Sequence, residues 1–111
     1  MFLASNSQAT SFTASDFGRT LASDGDGSDH GWGSHHFVLG GAVAGGRFHG
    51  GLPEVAVNGA ADVGQGRLLP TTAVDQLAAT LASWMGVSDS NLALVAPNIG
   101  QYSVKKLGLM L

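Results

Sequence analysis

Thr13-Ala14-Ser15-Asp16-Phe17-Gly18-Arg19-Thr20 and, after a polar loop, Asp29-His30-Gly31-Trp32-Gly33-Ser34-His35-His36-Phe37 hold the densest chemistry in this chain. Three of its four histidines lie in the second run, and Asp16, Asp24, Asp26 and Asp29 all fall between Thr13 and Phe37. A chain with few charges gathers acids and imidazoles where ligands or proton carriers are needed. Phe12-Thr13-Ala14 is β-prone and stops at Ser15-Asp16, which predicts a strand ending just before Asp16. In an open α/β sheet that position faces the ligand crevice, so Asp16 and Arg19 are expected there.

Outward from this stretch, Ser23-Asp24-Gly25-Asp26-Gly27-Ser28 reads as a turn-rich loop. Phe37-Val38-Leu39 suggests a second short strand, and Gly40 to Gly46 a tight turn. Val55-Ala56-Val57 and Arg67-Leu68-Leu69 are strand-like fragments, separated by the Asn58-Gly59 turn signal and Gly64-Gln65-Gly66, and are expected to form a small hairpin or excursion. The clearest helix follows Pro70. Thr71 or Thr72 can cap it, Asp75 suits its positive end, and Val74, Leu77, Ala78, Leu81 and Met85 repeat at helical spacing before Gly86. Trp84 lies beside that apolar stripe. Ser88 can cap a second turn through Leu92 and Val95, ended by Pro97. The tail Leu107-Gly108-Leu109-Met110-Leu111 is too apolar to hang in water and is expected to dock.

Composition narrows the function classes. At 111 residues the chain is one domain at most. Only 12% of residues are charged, against roughly 25% in an average domain, which suggests that part of the surface is covered by other polypeptide. A formal charge of −3 offers no footprint for nucleic acid or an anionic membrane. The absence of cysteine removes thiolate metal sites and cysteine nucleophiles. Met1-Phe2-Leu3-Ala4 is too short for a signal peptide, and no apolar run is long enough to span a membrane.

Asp16, Asp29, His30, His35 and His36 offer the oxygen and nitrogen donors that zinc, manganese or iron accept, although their spacing fits no compact zinc signature. If Ser34 to Phe37 is extended, His35 and His36 point to opposite faces, so only one shares a centre with Asp16 or His30. Arg19 can neutralise an anionic substrate group or pair with Asp16. Asp24 to His35 fails as an EF-hand, because Asp29 stands where glycine is required and His35 where glutamate belongs. Gly41 to Gly46 lacks the lysine of a P-loop. His49 and Asp75 read as structural residues.

These two runs, together with Gly40-Gly41-Ala42-Val43, Gly66-Arg67-Leu68-Leu69-Pro70-Thr71-Thr72-Ala73-Val74-Asp75-Gln76, Trp84-Met85-Gly86-Val87-Ser88-Asp89 and Leu107-Gly108-Leu109-Met110, closely resemble the domain of unknown function family 1501 (DUF1501) over nearly the whole chain. The resemblance is to the C-terminal part of longer, often exported proteins, themselves similar to the alkaline phosphatase and sulfatase superfamily. It implies that residues 1–111 are a C-terminal fragment of a three-layer α/β/α fold that needs its missing N-terminal part. In that superfamily Ser-Asp-His-Gly at a strand end supplies two metal ligands, and here Ser15-Asp16-Phe17-Gly18 takes its place with Phe17 replacing the histidine. One of His30, His35 or His36 would match a later histidine ligand. The implied whole is a hydrolase of anionic phosphate or sulfate esters, using a divalent metal (zinc, manganese, iron or calcium) and located in the periplasm or secreted. A non-catalytic secreted or surface binding protein is the alternative, favoured by Phe17. Made alone, the chain is expected to be inactive and incompletely stable.

Overall fold

The helix expected after Pro70 spans Val74–Trp84 (α1) in the computed structural model, which describes residues 9–111. Met1-Phe2-Leu3-Ala4 therefore lies outside the described residues. Neither Thr71 nor Thr72 caps α1; its N-cap is Ala73. The Gln76 side chain folds back on the N-cap residue: its Oε1 accepts from the Ala73 backbone N–H at 2.8 Å while its Nε2 donates to Val104 O at 2.6 Å. At the other end Gly86, at φ 97°, reverses the chain as its periodicity predicts. Gly86 N–H bonds Ser83 O at 3.0 Å and Val87 N–H bonds Ala82 O at 2.9 Å, the paired bonds of a Schellman motif.

The chain divides into two compact units. The first comprises residues 9–11, Val38–Gly50 and Thr72–Leu111. Strand β1, Thr10–Phe12, pairs here with β4, Val38–Gly40. The expected strands are thus present but displaced: β1 ends at Phe12 rather than beside Asp16, and β4 starts after Phe37. A 3-10 turn over Asp89–Asn91 leads into α2, Leu92–Val95, and a second 3-10 turn covers Ile99–Gln101.

The core of this unit is Ala79, Ala82, Leu92, Ala96 and Ile99, with Ala78, Val87 and Tyr102 packed against it. Its α1 face differs from the expected stripe. Small residues admit α2 closely, while Val74 and Met85 stay 74% and 73% exposed. The tail docks as expected. Val43 and Met110 form an antiparallel bridge, Ala44 N–H donates to Leu109 O and Leu111 N–H to Ala42 O, each at 2.8 Å, and Leu109 is buried.

The second unit comprises Phe12–Phe37 and Gly51–Thr71. Its centre is an antiparallel hairpin of β2, Gly18–Ser23, and β3, Ser28–Gly31. The Asp-Gly-Asp-Gly segment is the hairpin turn, closed by Asp24 N–H on Gly27 O at 3.0 Å. Pairing is irregular between Arg19 and Ser23 because Thr20 intervenes: its buried Oγ1 accepts from Asp29 N–H at 3.1 Å and donates to Ala22 O at 2.8 Å. Gly18 permits close backbone approach, since a side chain there would strike the backbone of Gly33.

Val55-Ala56-Val57 is not a strand, and Leu68 makes only an isolated bridge to Asp62. The segment is the excursion rather than the hairpin, and Asp62 organises it. Its carboxylate accepts from the backbone N–H groups of Asn58 and Gly64, each at 2.7 Å, and of Gly66 at 2.8 Å. These bonds hold Asn58 and Gln65 at positive φ, a conformation that side chains disfavour. Leu21 and Ala22 N–H then bond Gly66 O and Gln65 O. The described residues are accordingly mixed α/β, with two small two-stranded sheets.

Candidate functional site

The hairpin of the second unit places Arg19 on β2 directly opposite His30 on β3, with Asp29 the preceding residue. Cross-strand partners of this kind stand side by side on one face of the pair. The His30 ring stacks on Phe17, with centroids 3.6 Å apart and planes 15° from parallel, and the Arg19 guanidinium carbon lies 5.0 Å from the same phenyl centroid. Arg19 Nη1 also donates to Ser28 O at 2.6 Å. Guanidinium, imidazole and phenyl ring thus form one cluster, with Arg19 and His30 exposed and Phe17 half-buried.

Arg67, contributed by the excursion, grips the other side of β3. Its Nη2 bonds Asp29 Oδ2 at 2.7 Å and its Nε bonds His30 O at 3.1 Å. Asp29 Oδ1 accepts from the His30 backbone N–H at 2.8 Å. That backbone bond is the main reason the Asp29 carboxyl lies below its ordinary value of 3.8; desolvation opposes it, and the Arg67 charge adds a smaller lowering effect.

The remaining candidates are placed differently. Asp16 lies in an exposed bend and His35 in exposed coil. Ser34 to Phe37 is not a strand, so alternation does not decide where His35 and His36 point. His36 Nδ1 is 3.3 Å from Thr13 Oγ1, which also accepts from Phe37 N–H at 3.0 Å. Among the described residues, no three His, Asp or Glu side chains gather to hold a metal ion. Asp16, His30, His35 and His36 keep donor types that suit a divalent metal.

Sequence reasoning names Arg19, Asp29 and His30 but misses Arg67 and the stack on Phe17. Arg67 lies 38 residues from Asp29, so no local sequence signal marks the pair. A shallow cleft of about 200 Å³ in the first unit, lined by Thr80, Trp84, Lys106, Leu107 and Met110, has no comparable set. Its Lys106 pairs with Asp89 at 2.9 Å.

This arrangement defines a small mixed α/β chain with an exposed cation, imidazole and carboxylate cluster on one hairpin. Residues 7–100 match the sequence model of the family described as Protein of unknown function (DUF1501), and the chain belongs to that family. No curated protein matches it, and no solved structure does. No helix among the described residues is long and apolar enough to cross a membrane.

The carboxylate of Asp62 yields a pH prediction. Its backbone bond from Asn58, followed by those from Gly64 and Gly66, holds the carboxyl below 3.8 despite some desolvation. Because the folded value is depressed, its contribution to stability is complete above pH 3.8 and is lost as pH falls through the folded value. Protection of the Asn58, Gly64 and Gly66 amides, measured relative to their intrinsic exchange rates, is therefore expected to fall only below pH 3.8. In Asp62→Asn that protection is expected to be low already at neutral pH and to lose the acid step.

Proposed function

We propose that the chain is part of a phosphate- or sulfate-ester hydrolase with an alkaline-phosphatase-like three-layer α/β/α architecture, completed by polypeptide outside residues 1–111. The observation that supports it is the register placing Arg19 opposite His30, beside Asp29. A guanidinium can hold an anionic ester through paired hydrogen bonds, and an adjacent imidazole can carry a proton. Asp16, His30 and one of His35 or His36 would join residues of the remaining fold around a divalent metal. The proposal places the whole protein in the periplasm or outside the cell.

A second reading is a non-catalytic binding protein that keeps the scaffold. Phe17 favours it, because on the resemblance it replaces a histidine ligand, and its ring stacks on His30. The test is expression of the longer polypeptide with its upstream sequence, followed by metal analysis and assay against generic phosphate and sulfate esters. Hydrolysis and bound metal, both lost in Asp16→Ala and His30→Ala, are the expected result. An inactive, metal-free protein would leave the binding reading in its place. The 111-residue chain alone is expected to hydrolyse neither ester.

A further inference from the structure

We infer that Arg67 is a positioning residue for His30, with Asp29 serving as its anchor. The inference rests on the reading above only in taking His30 to act at the site. All three guanidinium nitrogens of Arg67 are engaged: Nε with His30 O at 3.1 Å, Nη2 with Asp29 Oδ2 at 2.7 Å and Nη1 with Gly64 O at 3.3 Å. Its own backbone is held in turn, since Arg67 N–H bonds Gly64 O and Val63 N–H bonds Arg67 O, both at 3.0 Å. Asp62 fixes Gly64 and Gly66 beside it. The fork therefore projects from a hydrogen-bonded loop onto two consecutive residues of β3.

Both carboxylate oxygens of Asp29 already have partners within this clamp, one in Arg67 and one in the His30 backbone N–H. The carboxylate thus fixes the peptide from which the imidazole projects. With the peptide held, the His30 ring keeps its parallel contact with Phe17 and its place opposite Arg19. A lysine at position 67 would retain the charge but not the planar fork, so it would reach Asp29 without also holding His30 O.

Carbethoxylation of histidine by diethyl pyrocarbonate, read peptide by peptide by mass spectrometry on the full chain, tests this. In Arg67→Ala the His30 rate is expected to rise severalfold as the ring leaves Phe17, with His35, His36 and His49 unchanged, and Arg67→Lys should fall between. An unchanged His30 rate would overturn the inference. So would a rise shared equally by His35 and His36, which would make Arg67 a general structural residue. Neither hydrolysis nor bound metal enters this readout, so failure of the hydrolase reading and failure of the positioning role are told apart.

Discussion

Leu92→Ala is expected to unfold the first unit or leave it barely folded. Leu92 is 2% exposed and is the largest fully buried side chain among the described residues. Its neighbours Ala79, Ala82 and Ala96 have no reach to fill the space it would leave. A buried leucine truncated in such a setting costs about 2–5 kcal/mol, the upper part of the range applying where the walls cannot collapse. That is comparable to the whole stability of a small domain. Leu94→Ala in the same short helix is the control, because Leu94 is 82% exposed and its truncation should change stability by less than about 0.5 kcal/mol. Denaturant unfolding followed by helical circular dichroism measures both. Equal effects would mean that the packing around α2 is not the source of its stability.

Thr80→Val is the second large effect. The Thr80 hydroxyl is buried, donates to Gln76 O at 2.6 Å and accepts from the Leu107 N–H at 2.7 Å. Valine matches its shape but leaves the Leu107 donor without a partner inside the fold. An unsatisfied buried donor costs about 1–3 kcal/mol. The tail is where the loss should appear, because the segment after Leu107 carries the bonds from Leu109 and Leu111 to residues 42–44. Hydrogen exchange should show the amides of Leu107, Leu111 and Ala44 released before those of α1, whereas Thr80→Ser should keep them protected. Uniform acceleration across the unit would contradict this local role.

What could be read without coordinates follows the range of each signal. Helix α1 was legible because Leu77, Ala78 and Leu81 repeat locally and Gly86 punctuates them. The cap escaped because it depends on the Gln76 side chain folding back. The buried face escaped because close packing by α2 selects Ala79 and Ala82 over the larger Val74 and Met85. Strand β2 was missed since Gly18-Arg19-Thr20-Leu21-Ala22-Ser23 lacks the alternation of a half-buried strand, and the acidic glycine loop concealed its hairpin turn. In the site, residue types near one another in sequence were legible. The Asp29–Arg67 clamp was not, because an ion pair between residues 38 apart leaves no local pattern.

The second unit has only Gly18, Thr20 and Gly66 buried, and none of the buried hydrophobic residues belongs to it. Heat capacity of unfolding arises chiefly from newly exposed apolar surface, at about 0.45 cal/mol/K per Å². A unit held by Thr20, Asp62 and Arg67 hydrogen bonds has little such surface to reveal. Its calorimetric step should therefore be small, and its free energy nearly linear in temperature instead of domed. Cooling would then tighten the Arg19 and His30 hairpin where it weakens an apolar core, so the geometry of the site should be best defined in the cold.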